Sequence, residues 1–152
     1  MKHQIERRAF CALVAGAGLA AATGVARAAP GIFSEFGAAI RGADTVAFFT
    51  EGAAVEGSAQ HSMRWRAANW LFASAANRAR FAADPTAFAP QYDGWCAFAM
   101  VRGILAETDP TTWYIVDGKL YLNFSGRTRE RFLRNLTDNI GRADARWAAD
   151  YS

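Results

Sequence analysis

A small α+β domain follows from three features of this 152-residue chain. Two stretches alternate apolar and polar side chains on either side of short turns, one of them Asp117-Gly118, and so predict antiparallel hairpins. In the C-terminal part, apolar residues recur at spacings of three and four, as on one face of a helix. No repeat, low-complexity tract or long linker divides the chain, which predicts one domain. The expected architecture is a small antiparallel sheet or pair of hairpins with helices packed on one side. A content of 52% hydrophobic and 20% charged residues excludes a disordered tail, a collagen-like fibre and a charge-driven scaffold.

Residues 1–28 predict an export signal. Lys2, Arg7 and Arg8 open it, a mildly apolar Ala- and Gly-rich run follows over 9–26, and Ala26-Arg27-Ala28 offers a small-residue cleavage site. Arg7-Arg8-Ala9-Phe10 resembles a twin-arginine signal, although Glu6 stands where Ser or Thr usually precedes the pair. The expected destination is the periplasm or the outside of the cell. Only an uncleaved leader would keep the chain on a membrane. Removing it takes away Lys2, Arg7, Arg8, Arg27 and Glu6 and leaves 13 basic and 13 acidic residues. The formal charge of +3 therefore belongs to the leader, and no electrostatic case for nucleic-acid binding remains. One cysteine, Cys96, and one histidine, His61, are left, so an internal disulfide is excluded.

Residues 29–42 are expected as a peripheral N-terminal arm, partly helical through Phe33, Phe36 and Ile40, with the domain proper spanning 43–152. Residues 45–50, Thr-Val-Ala-Phe-Phe-Thr, predict a short buried strand. Residues 62–66 alternate, and with 70–73 they predict a hairpin across Ala67-Ala68-Asn69. Ser74 suits the N-cap of a helix over 75–83, which Asp84-Pro85 ends because the residue before proline avoids the helical region. Residues 86–92 predict a packed loop. Asp93-Gly94 then opens a second helix over 95–102. Residues 112–116 and 119–124 form the strongest predicted hairpin. Phe132, Leu136, Ile140, Ala143 and Trp147 mark one helical stripe, with a break expected between about Leu136 and Gly141.

These residues carry a resemblance. Trp70-Leu-Phe-Ala-Ser-Ala-Ala-Asn77, Phe81, Asp84-Pro85, Phe88 and Ala89-Pro90-Gln91-Tyr92-Asp93-Gly94-Trp95-Cys96-Ala97 resemble the YHS domain, more narrowly the exported single-domain YHS proteins with an APQYGGYCA-type segment. The segment from Trp113 to Asn123 resembles the same group. The wider group is similar to small TRASH-type metal-binding modules, in which Phe-Cys-Ser-x-x-Cys presents two thiolates to one soft ion. The matching positions here are Phe72-Ala73-Ser74-Ala75-Ala76-Asn77, so Ala73 and Asn77 stand where the cysteines would be. The resemblance implies a YHS/TRASH-like fold, export, and a small-ligand or metal role.

Cys96 is the first candidate for chemistry. In the first turn of a helix its thiolate would be favoured by the amide dipoles and opposed by Asp93; otherwise it is a small buried hydrophobe. His61 is the second. Cys96 and His61 together supply two soft ligands, enough for a soft transition metal such as copper or for a homo-oligomeric interface to which each subunit contributes both residues. Tyr92 and Trp95 flank Cys96 across a glycine turn, where they would line a ligand pocket or simply pack. Arg127, Arg129, Arg131 and Arg134 read as a solvated helix face or as an anion site. G-x-S-x-G, H-E-x-x-H and C-x-x-C motifs are absent. The leading expectation is a non-enzymatic protein binding a small ligand or soft metal near Cys96. The alternatives are a thiol enzyme or redox protein using Cys96, and a structural or partner-binding domain with Cys96 in its core.

Overall fold

The computed structural model describes residues 28–151, so the leader expected over 1–28 falls outside the described residues except for Ala28. Asp117 and Gly118 take φ of 50° and 71°, the left-handed pair that a tight two-residue turn requires. They join β5 (Asp109–Val116) to β6 (Lys119–Asn123) in an antiparallel hairpin with Tyr114 opposite Tyr121. The first predicted hairpin is also formed, by β3 (Ser58–Trp65) and β4 (Ala68–Phe72). Its turn is Arg66-Ala67, one residue earlier than the sequence indicates, and both residues have positive φ, 46° and 61°. Neither residue type favours that region. The turn is held because the Arg66 guanidinium makes two bonds to the Asp93 carboxylate, the longer of them 2.8 Å, and lies 5.5 Å from the centre of the Trp65 ring.

The helix over Ala75–Ala83 (α2) forms as predicted, with Ser74 as its N-cap accepting from the Asn77 N–H at 3.1 Å. Asp84-Pro85 ends it and at once starts α3 (Pro85–Phe88), since the Asp84 carboxylate accepts from the Ala87 N–H and proline suits the first helical position. Part of the expected loop over 86–92 is thus helical. The C-terminal stripe folds as α5 (Gly126–Arg134) and α6 (Leu136–Tyr151). The break comes at Asn135, just before the expected range, and Gly141 sits within α6.

Three expectations are corrected. Residues 45–50 are not a strand: α1 (Ala47–Thr50) forms there because Asp44 Oδ1 accepts from the Val46 and Ala47 N–H groups at 2.9 and 3.3 Å. The arm over 29–42 is not peripheral, and its expected helical part is limited to a 3-10 turn over Ile40–Gly42. It holds a two-residue hairpin, β1 (Ser34–Glu35) and β2 (Ala38–Ala39), and Ala39 and Ile40 are fully buried. The helix expected over 95–102 shrinks to α4 (Ala97–Met100). Asp93 is drawn away from capping it by Arg66, and residues 91–94 form a 3-10 turn in which Tyr92 and Asp93 have φ of 55° and 54°. Gly94, with φ 85°, is required: a Cβ there would stand 2.3 Å from Ile40 Cδ1.

The α+β class with small antiparallel hairpins holds, but the helices divide between two faces rather than covering one. Strand alternation sends Leu120 and Leu122 of β6 into a core with Ile40, Phe48, Trp70, Phe72 and Phe81. Tyr121 and Tyr114 point the other way, into a second core with Met100, Phe132, Ala143 and Tyr151. The β5–β6 hairpin is therefore the partition, with α1, α2 and the β3–β4 hairpin on one face and α4–α6 on the other. Asn123 ends β6 on the second face, beside Cys96. Among the described residues no helix is long and apolar enough to cross a membrane.

Candidate functional site

Cys96 is the N-cap residue of α4 rather than part of its first turn. Its N–H donates to the Ala106 carbonyl and its carbonyl accepts from the Met100 N–H, both at 3.0 Å, which pins the residue between α4 and the 104–108 segment. The side chain is 1% exposed. Sγ accepts a hydrogen bond from the Phe124 N–H at 3.3 Å and lies 3.9 Å from Asn123 Oδ1, to which the thiol proton is directed. Asn123 Oδ1 also accepts from the Phe98 N–H at 3.2 Å. Its Nδ2 and the Tyr114 hydroxyl are buried without a hydrogen-bond partner among the described residues. Burial holds the Tyr114 phenol well above the ordinary tyrosine range.

Above the sulfur lies a cleft of about 230 Å³. Phe98, Ala99, Ile104, Ala106 and Phe124 form its apolar walls, Cys96 its floor, and Arg102 and Thr128 its polar border. Ile104 and Phe124 remain 53% and 50% exposed; among the described residues only Phe36 joins them as an exposed large apolar side chain. The cleft exists because α4 is short. The chain leaves it at Gly103, whose φ of 69° turns it back so that the Ala106 carbonyl meets the Cys96 N–H, and Ile104 and Ala106 form a second wall.

The two aromatics expected beside Cys96 do not line this cleft. Trp95 turns toward the N-terminal segment: its indole N–H donates to the Gly31 carbonyl at 3.0 Å, and its ring meets Phe33 edge-on at 5.1 Å. Tyr92 is 5% exposed and donates its hydroxyl proton to Asp144 Oδ1 at 2.8 Å. Burial, then the Asp144 carboxylate, raises its phenol far above the usual range. Tyr92 and Trp95 are thus anchors between distant segments. His61 lies on β3 and does not border the cleft. Cys96 therefore meets no second soft donor there, and among the described residues no group of three or more His, Cys, Asp or Glu could hold a metal ion. The donor set beside Cys96 fits a hydrogen-bonded thiol and does not fit a soft-metal centre.

The positions at which the resemblance implies a metal pair have a different content. Asp44 is fully buried, and its Oδ2 accepts from the Ala73 N–H and from Asn77 Nδ2, each at 2.8 Å. With the Val46 and Ala47 amides on Oδ1, one carboxylate takes four donors. Ala73 has no side-chain donor atom, so the residues do not fit a bound ion; they tie α1, β4 and α2 together through Asp44. The arginines of α5 are likewise structural or solvated. Arg129 Nε donates to the Trp113 carbonyl at 2.9 Å, while Arg127, Arg131 and Arg134 face solvent.

Sequence reasoning placed Cys96 but missed Phe98, Arg102, Ile104, Phe124 and Asn123. Phe124 alone carried a signal, since it continues the strand past the buried Leu122 and then meets Ser125, the N-cap of α5. The other side chains come together only through the turn at Gly103. No protein-family model, no curated protein and no solved structure matches the chain.

Proposed function

We propose that this chain is an exported, non-enzymatic binding protein of YHS type that holds a small apolar ligand in the cleft beside Cys96. One observation carries the reading: a shaped, hydrocarbon-walled hollow of about 230 Å³ in which Ile104 and Phe124 stay half exposed. A hollow of that volume accommodates about eight non-hydrogen atoms, at roughly 30 Å³ for each. Burying the apolar area of such a ligand contributes about 25 cal/mol per Å², which favours weak to moderate affinity. The leader over residues 1–28 supports a site of action in the periplasm or beyond. A thiol enzyme is less well supported, because the cleft walls offer no His, Asp or Glu to act as a base toward Cys96.

Titration of the isotope-labelled chain with 1-hexanol tests the reading. Amide shifts are expected at Phe98, Ile104 and Phe124, and they should vanish in Ala99→Trp, which fills the cleft. Absence of saturable shifts at these residues in the unaltered chain overturns the proposal. Cys96 forms the floor, so Cys96→Ala is expected to retain hexanol binding while stability falls by about 1–2 kcal/mol, from the lost sulfur contacts. Loss of binding in a Cys96→Ala chain that still folds would assign the thiol a direct role instead.

A further inference from the structure

We infer that the ligand of the Cys96 cleft is an amphiphilic anion: a short hydrocarbon tail lying on Phe98, Ile104 and Phe124, with a carboxylate head meeting Arg102. The inference rests on the cleft being the binding site, and it adds the chemical class of the occupant.

The walls carry a single charged side chain, Arg102. It is exposed and, like most arginines of the described residues, forms no ion pair. Among the described residues no carboxylate borders the cleft. Asp150, which approaches Gly103, stays outside it. A guanidinium left without a partner at the mouth of an apolar hollow matches a planar anion, which it can grip through two parallel N–H bonds. Phe124 and Thr128 place the first turn of α5 along the same border, and that turn contains no acidic residue. A neutral hydrocarbon would leave this charge unused, and a cation would be repelled by it. A six-carbon carboxylate, with about eight non-hydrogen atoms, matches the volume of the cleft.

Calorimetric or NMR titrations of the exported chain with hexanoate, 1-hexanol and hexylammonium, repeated on Arg102→Gln, test the inference. Hexanoate is expected to bind about fivefold more tightly than hexanol, with the difference shrinking at high salt, because an exposed charge pair contributes up to about 1 kcal/mol. Hexylammonium should bind most weakly. Arg102→Gln should bring hexanoate down to the hexanol affinity and leave hexanol unchanged. Equal affinity for hexanoate and hexanol, or insensitivity of hexanoate to Arg102→Gln, overturns the anion inference while leaving the apolar site standing. If neither probe binds and sedimentation instead shows self-association abolished by Phe124→Ser, the cleft is an interface between copies of the chain, and both readings fall.

Discussion

Replacing Asp44 with alanine should remove a large part of the stability of this fold. The carboxylate is fully buried and accepts four hydrogen bonds, three of them at 2.8–2.9 Å. Hydrogen bonds to a charged group contribute about 1.5–3 kcal/mol each, but they do not add, and deleting the carboxylate also removes its own desolvation penalty. Left behind are the Val46, Ala47 and Ala73 amides and the Asn77 side chain, facing a small void. Truncating one side of a buried charged network costs about 3–5 kcal/mol, and that range is expected for Asp44→Ala. For a chain of this size it corresponds to a fall of roughly 10–20 °C in Tm. Asn77→Ala, which leaves three of the four donors in place, should cost about 1–2 kcal/mol. Urea unfolding followed by tryptophan fluorescence measures both, and the double variant should show a coupling of about 1 kcal/mol between them. A loss below about 1 kcal/mol in Asp44→Ala, or zero coupling to Asn77, would refute the idea that this carboxylate holds α1, β4 and α2 together.

Alkaline pH should unfold the protein through its tyrosines. Burial, then the Asp144 and Asp117 carboxylates, pushes Tyr121 up to about 12; burial and Asp144 raise Tyr92, and burial beside Tyr121 raises Tyr114, so these phenols keep their protons in the folded chain after the unfolded chain has lost them. A raised folded-state value stabilises fully below the unfolded value near 10, and that stability drains as pH climbs through the folded one. Each such phenol should lower stability by about 1.4 kcal/mol per pH unit above pH ~10. Tyrosinate absorbance should appear together with unfolding; its appearance in a still-folded chain would contradict the burial argument. Phe36→Asn should raise stability by about 0.5–1 kcal/mol, since Phe36 is 87% exposed at φ 54° ahead of Gly37, and Asn-Gly suits that turn. Thermal melts that place the variant below the parent chain would assign Phe36 contacts that its exposure does not reveal.

Where local chemistry settles the backbone, the sequence was enough. Asp117-Gly118 takes the positive φ that its residues favour, Ser74 caps α2, and the three- and four-residue spacing from Phe132 to Trp147 reappears as the buried stripe of α5 and α6. The position of Cys96 next to a glycine turn was equally readable. Tertiary structure decided the rest, because it set long-range partners against local preference. Arg66 and Ala67 turn with positive φ only because Asp93, 27 positions away, holds the Arg66 guanidinium. That same bond takes Asp93 from the helix it was expected to cap and shortens α4. Residues 47–50 wind into a helix because Asp44, shared with Ala73 and Asn77, accepts from the Val46 and Ala47 amides at its start. The cleft follows from these shifts: a one-turn helix, a left-handed glycine and a returning segment enclose a space that no single stretch of sequence encodes.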